Sequence, residues 1–149
     1  MKKLEPPQLL LPKAALTKFK RRALRTPNEI LAALVGTVTR ENDRVTRISI
    51  EEIFYPRLEE STPEACRWNL LDLAKHQIRV QPKVVLGSIH SHPNVDYIGL
   101  SKDDLDTAEA YDELVFGVFT YWHRTGEKRS KTSLDFYCQG KPIKFELVT

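Results

Sequence analysis

Two histidines one residue apart, at the end of an apolar run and followed by a proline, constrain this chain more than any other feature. They lie in the stretch from Lys83 to Ala108, KVVLGSIHSHPNVDYIGLSKDDLDTA. Val84, Val85 and Leu86 read as the start of a buried strand. Successive strand side chains point to opposite faces, so His90 and His92 share one face. Pro93 has no N–H to give a ladder and ends regular pairing. A loop holding Asn94, Asp96 and Gly99 leads to Ser101-Lys102-Asp103-Asp104, which reads as a helix start. Two imidazoles from a strand end and a carboxylate from a helix start make three protein ligands. A catalytic zinc takes that number and keeps a fourth position for water.

The pattern has a plainer reading, and its strength depends on its length. A single histidine near a turn is usually structural, and H-x-H alone is a weak signal. H-x-H-P followed at short range by S-x-x-D is a strong one. S-x-x-D is also a capping box, whose hydroxyl and carboxylate satisfy the first free N–H groups of a helix. Ser101 can serve both roles. Asp103 competes with Asp104 as the third ligand, and the residues alone leave that choice open.

The rest of the chain alternates strands with helices. Gln8–Leu11 is a short strand. Lys13–Arg25 carries Ala15, Leu16, Phe19, Ala23 and Leu24 at helical spacing and reads as a basic amphipathic helix, closed by Pro27. Leu31–Val38 is nearly continuous in apolar residues, as a buried central strand would be. Glu41-Asn42-Asp43 is a polar turn, and Val45 to Tyr55 gives a second strand and room for a third. Pro56–Glu60 reads as a charged loop. Ser61-Thr62-Pro63-Glu64 reads as a helix entry, with a hydroxyl cap and a proline in the first turn. Trp68, Leu71, Leu73, Ala74 and Ile78 would be that helix's apolar side. Asp103–Glu113 would be a third helix and Leu114–Trp122 an aromatic-rich strand. Gly126–Ser130 reads as a turn, and Ser133–Tyr137 with Ile143–Val148 as a final hairpin across Gly140–Pro142. The expected architecture is an α/β domain, a mixed sheet flanked by about three helices, occupying residues 1–149 as a single domain.

Composition narrows the function classes. With 41% hydrophobic and 29% charged residues, the chain is ordinary for a globular protein. No apolar run approaches the roughly 20 residues of a membrane span. Glu5, Pro6 and Pro7 interrupt the N-terminal patch where a secretory signal needs about 7–15 apolar residues, so a cytoplasmic location is expected. The two cysteines, Cys66 and Cys138, lack C-x-x-C spacing and form no disulfide framework. They read as thiols with at least one in the core. Lys18, Lys20, Arg21, Arg22 and Arg25 supply part of the net charge of +3. A solvated helix face accounts for them, and nucleic acid is not expected as a partner.

A hydrolytic zinc site also needs a group to take the proton of its water and deliver it to the leaving group. Glu29, at the entry of the apolar strand Leu31–Val38, is the best candidate, since a charge is costly there unless used or solvated. Its plainer reading is a surface glutamate after Pro27.

Three motifs in order now carry a resemblance: Pro27-Asn28-Glu29-Ile30-Leu31-Ala32-Ala33-Leu34-Val35-Gly36, then Gly87-Ser88-Ile89-His90-Ser91-His92-Pro93, then Ser101-Lys102-Asp103-Asp104. Together the chain resembles the JAMM (MPN-plus) zinc metallopeptidases, of prokaryotic type. The resemblance implies a cytidine-deaminase-like MPN domain holding one zinc through His90, His92 and an aspartate. Glu29 would be the acid/base, and Ser101 would help hold the tetrahedral intermediate. It implies cleavage, by a zinc-activated water, of isopeptide or peptide bonds after the C-terminal tail of ubiquitin-like or sulfur-carrier proteins. It leaves room for an activating protein partner. Two positions depart from the family pattern. Ala32 stands where family members usually have glycine, and His92 to Ser101 is one residue longer than the family spacing. A loop absorbs an insertion more readily than a helix turn does, so the resemblance favours Asp104 over Asp103. The competing readings are a metal-free MPN scaffold that only binds partners, a nucleic-acid module on the first helix, and a zinc base deaminase. The deaminase needs H-x-E with a downstream P-C-x-x-C, which this chain lacks.

Overall fold

The computed structural model describes residues 5–63, 65–93, 114–122 and 131–149. Among these residues ten strands and two helices follow one another: β1 (Gln8–Pro12), α1 (Lys13–Leu24), β2 (Leu31–Glu41), β3 (Arg44–Phe54), β4 (Leu58–Ser61), β5 (Cys66–Trp68), α2 (Leu70–Val80), β6 (Val84–Pro93), β7 (Val115–Trp122), β8 (Lys131–Cys138), β9 (Lys141–Ile143) and β10 (Phe145–Val148). Eight strands form one mixed sheet in the order β10-β1-β3-β2-β6-β7-β8-β9. Its two edge strands are consecutive in the chain, with Lys144 alone between them, so the sheet must curl. The rings of Phe136 on β8 and Phe145 on β10 accordingly meet edge to face at 5.1 Å.

The apolar run expected as a buried central strand is one. Ala32 to Gly36 are all buried, and β2 lies antiparallel between β3 and β6. The polar turn after it is a two-residue hairpin turn, with Asn42 and Asp43 both at positive φ, the twist that tight hairpins favour. β3 is one unbroken strand to Phe54 rather than two. β6 packs its backbone close to β7: a Cβ on Gly87 would stand 1.6 Å from the Val115 carbonyl oxygen. Only glycine permits this approach.

α1 is the basic amphipathic helix that the spacing implied. It buries Leu16, Phe19 and Ala23 against a core that includes Leu9, Leu11, Leu34, Ile48, Ile89, Phe119 and Phe136. Its cations face outward, and the Arg22 guanidinium lies over the Tyr55 ring at 3.9 Å, a cation–π contact.

Three expectations are corrected. Ser61 does not open a helix. Leu58–Ser61 and Cys66–Trp68 pair as an antiparallel hairpin. Thr62 closes that hairpin: its N–H donates to the Ala65 carbonyl at 2.8 Å, and its hydroxyl accepts the Ala65 N–H at 3.0 Å. A threonine hydroxyl serves a turn as well as a helix cap, and the local sequence does not separate the two. The helix begins later, where Asn69 Oδ1 accepts the Asp72 N–H at 2.9 Å. Its expected apolar side is also displaced, since Leu71 and Ile78 are 65% and 69% exposed while His76 is buried and stacked on Phe54 at 3.6 Å.

The second correction is at the C-terminus. β8 forms its hairpin with β9, across Gln139 and Gly140. β10 leaves it and pairs in parallel with β1. The third concerns the helix count. Among the described residues the sheet carries two helices, not about three; the third expected helix, Asp103–Glu113, lies outside them. No described helix is long and apolar enough to cross a membrane.

Candidate metal centre

The site grows from the junction of β2 and β6. From Gly87 to Pro93 every residue of β6 is buried, so the strand can carry polar side chains only where they meet partners. Leu31 pairs with His90, which places Leu31, His90 and His92 on one face of the sheet. Glu29, two residues before Leu31, falls on the same face.

Glu29 is held from both sides through its backbone. Its N–H donates to the Thr62 carbonyl at 2.7 Å, and the Ser61 hydroxyl donates to its carbonyl at 2.7 Å. Next to it, the Ile30 N–H donates to Ser91 Oγ at 2.9 Å, while the Ser91 N–H donates to the Ile30 carbonyl at 3.0 Å. The β4–β5 hairpin and the serine between the two histidines thus fix the position of the glutamate. The Tyr121 hydroxyl donates to the Thr26 carbonyl and ties β7 to the turn that leads into Glu29. Burial pushes the Tyr121 phenol up from its usual value, which keeps it neutral and a donor across physiological pH.

The three side chains converge. His90 Nε2 and His92 Nε2 are 2.9 Å apart, and His92 Nε2 is 3.5 Å from Glu29 Oε1. The imidazole rings meet edge to face, with centroids 4.6 Å apart. One ligand atom from each of Glu29, His90 and His92 lies within 4.8 Å of the others, and the three residues are 7%, 8% and 4% exposed. Two ring nitrogens at 2.9 Å have room for one proton between them, or for two lone pairs turned toward a shared cation. A buried carboxylate beside them adds negative charge, which a cation would balance. The donor set fits a divalent metal, since imidazole suits zinc, copper, iron and nickel alike, and the geometry leaves the element open.

Glu29, His90 and His92 are therefore brought together, with the glutamate buried and not on the surface. Ser101, Asp104 and its competitor Asp103 lie outside the described residues. The parts that hold the site carry little local signal in the sequence. Ser91 was visible inside the histidine motif, but its role depends on which strand lies beside it. Ser61 and Thr62 carry the local pattern of a helix cap. Thr120, buried on β7 and paired with His92, left no local signal.

No family model and no curated protein matches the chain. Solved structures do. A Desulfitobacterium hafniense protein known by its solution structure superposes with a TM-score of 0.59 at 19% identity, covering 95% of this chain and 92% of its own. A crystal structure of a JAB1/MPN domain protein from Archaeoglobus fulgidus superposes with a TM-score of 0.54 at 15% identity, covering 97% and 99%. The fold is MPN-like. At these identities the likeness concerns the fold alone. This fold carries the buried Glu29–His90–His92 group.

Proposed function

We propose that this chain is a zinc-dependent metallopeptidase of the JAMM type, cleaving peptide or isopeptide bonds after the C-terminal tail of a ubiquitin-like or sulfur-carrier protein in the cytoplasm. The observation that carries the reading is the buried group of one carboxylate and two imidazoles, assembled on an MPN-like fold. His90, His92 and Asp104 would hold the metal. Zinc bound there would lower the pKa of a water to about 7 and polarise the scissile carbonyl.

The protein's own groups do the rest. Glu29 stands beside His92 without occupying a place on the strand that carries the histidines, which suits it to take a proton from the attacking water and return it to the leaving amine. Its clamped backbone sets where the side chain starts, and its carboxylate lies 3.5 Å from His92 Nε2. Ser101 would donate to the oxygen that becomes negative as the carbonyl is attacked. Burial of the site keeps bulk water away and strengthens each of these interactions.

The test uses the purified chain with added zinc and a panel of ubiquitin-like and sulfur-carrier proteins extended beyond their C-terminal tails. Cleavage at the tail, abolished by a chelator and restored by zinc, is the expected result. A chain that binds these proteins, retains no zinc and cuts none of them would favour the scaffold reading. The same preparation decides the third ligand. Asp104→Ala is expected to lose zinc while Asp103→Ala keeps it. The reverse would place the extra loop residue after Ser101 and move the ligand to Asp103.

A further inference from the structure

Thr120 is a buried polar side chain that the fold does not explain. It sits on β7, is 4% exposed, and its Oγ1 has no hydrogen-bond partner among the described residues. Buried hydroxyls are nearly always hydrogen-bonded, and valine would fill the same space on a buried strand without the penalty. The register shows where the hydroxyl stands. β6 and β7 pair in parallel without a shift from Gly87 and Val115 onward, setting His90 beside Val118 and His92 beside Thr120. Residues paired across a ladder share a face, so Thr120 flanks the His92 side chain on the side away from β2.

His92 turns its Nε2 toward His90 and Glu29. An imidazole that gives Nε2 to a metal carries its proton on Nδ1, and that N–H is normally held by an acceptor that fixes the ring. We propose that Thr120 is a positioning residue of the centre: when Nε2 of His92 is engaged by a metal ion, Thr120 Oγ1 accepts the His92 Nδ1–H. The inference rests on the reading of the site as a metal centre.

The experiment compares wild type, Thr120→Val and Thr120→Ser, each prepared metal-free and titrated with Zn2+ against a chromophoric chelator. Thr120→Val is expected to bind zinc about 10–100-fold more weakly, the usual loss when a ligand's supporting partner is removed. Its metal-free thermal midpoint should stay at or above that of wild type, because the valine removes an unsatisfied hydroxyl. Thr120→Ser should restore the affinity. In the zinc-loaded wild type and serine variant, the His92 Nδ1 proton should give a slowly exchanging NMR resonance that the valine variant lacks. A valine variant with wild-type zinc affinity and the same Nδ1 resonance would overturn the role of Thr120 alone. Absence of zinc binding in the wild type would overturn the metal centre itself, and Thr120 with it.

Discussion

Glu29→Gln should retain zinc and lose cleavage by about 10²–10⁴-fold, the range that general acid–base catalysis contributes. Glutamine preserves the shape of the side chain and one acceptor oxygen, but it cannot take a proton from water. The backbone bonds that place residue 29, to Thr62, Ser61 and through Ile30 to Ser91, do not involve its carboxylate. The fold should therefore be little changed, and a thermal midpoint near that of wild type is expected. Removing a buried negative charge beside His92 should alter metal affinity only modestly if Asp104 is the third ligand. A Glu29→Gln chain that cleaves at the wild-type rate would return Glu29 to a structural part, and one that loses zinc outright would make the glutamate a ligand and not the base.

The second large effect is on stability. A metal that binds the folded chain and not the unfolded one stabilises it by RT ln(1 + [L]/Kd), about 4 kcal/mol at a thousandfold excess over Kd. Zinc should therefore raise the thermal midpoint of the wild type by several degrees. His90→Ala and His92→Ala should each abolish that rise. Both imidazoles are buried and their Nε2 atoms face one another, so no surface histidine can take their place. The metal-free variants should still fold, because the core of Leu9, Phe19, Leu34, Ile89, Phe119 and Phe136 does not depend on either ring. Scanning calorimetry with and without zinc reads both quantities. A zinc-dependent rise that survives in either variant would locate the metal elsewhere.

Parts of this architecture were legible because they are local. The apolar run at Leu31–Val38 reads as a buried strand, and the i, i+2 spacing of His90 and His92 puts both on one face once a strand is granted. The period of Leu16, Phe19 and Ala23 gave α1. What stayed hidden depends on partners distant in the chain. The Ser61–Trp68 segment carries the residues of a helix entry, yet it forms a hairpin whose end clamps Glu29, and that clamp exists only because β2 starts there. β10 continues directly from β9 in sequence but pairs with β1 at the other end of the sheet, because the sheet curls back on itself. The apolar residues of α2 predict a buried face, and Leu71 and Ile78 stay exposed because the helix packs through His76 on Phe54 instead. Thr120 is an ordinary strand residue until the register sets it beside His92.

The central claim is that Glu29, His90 and His92 form part of a centre for one metal ion, and the direct measurement is metal stoichiometry. The wild type and a His90→Ala/His92→Ala double variant would be loaded with zinc, desalted and assayed by elemental mass spectrometry against protein concentration. One zinc per chain in the wild type and none in the double variant is the result this account requires. A wild-type chain that retains no zinc, or a double variant that retains as much as the wild type, would contradict it.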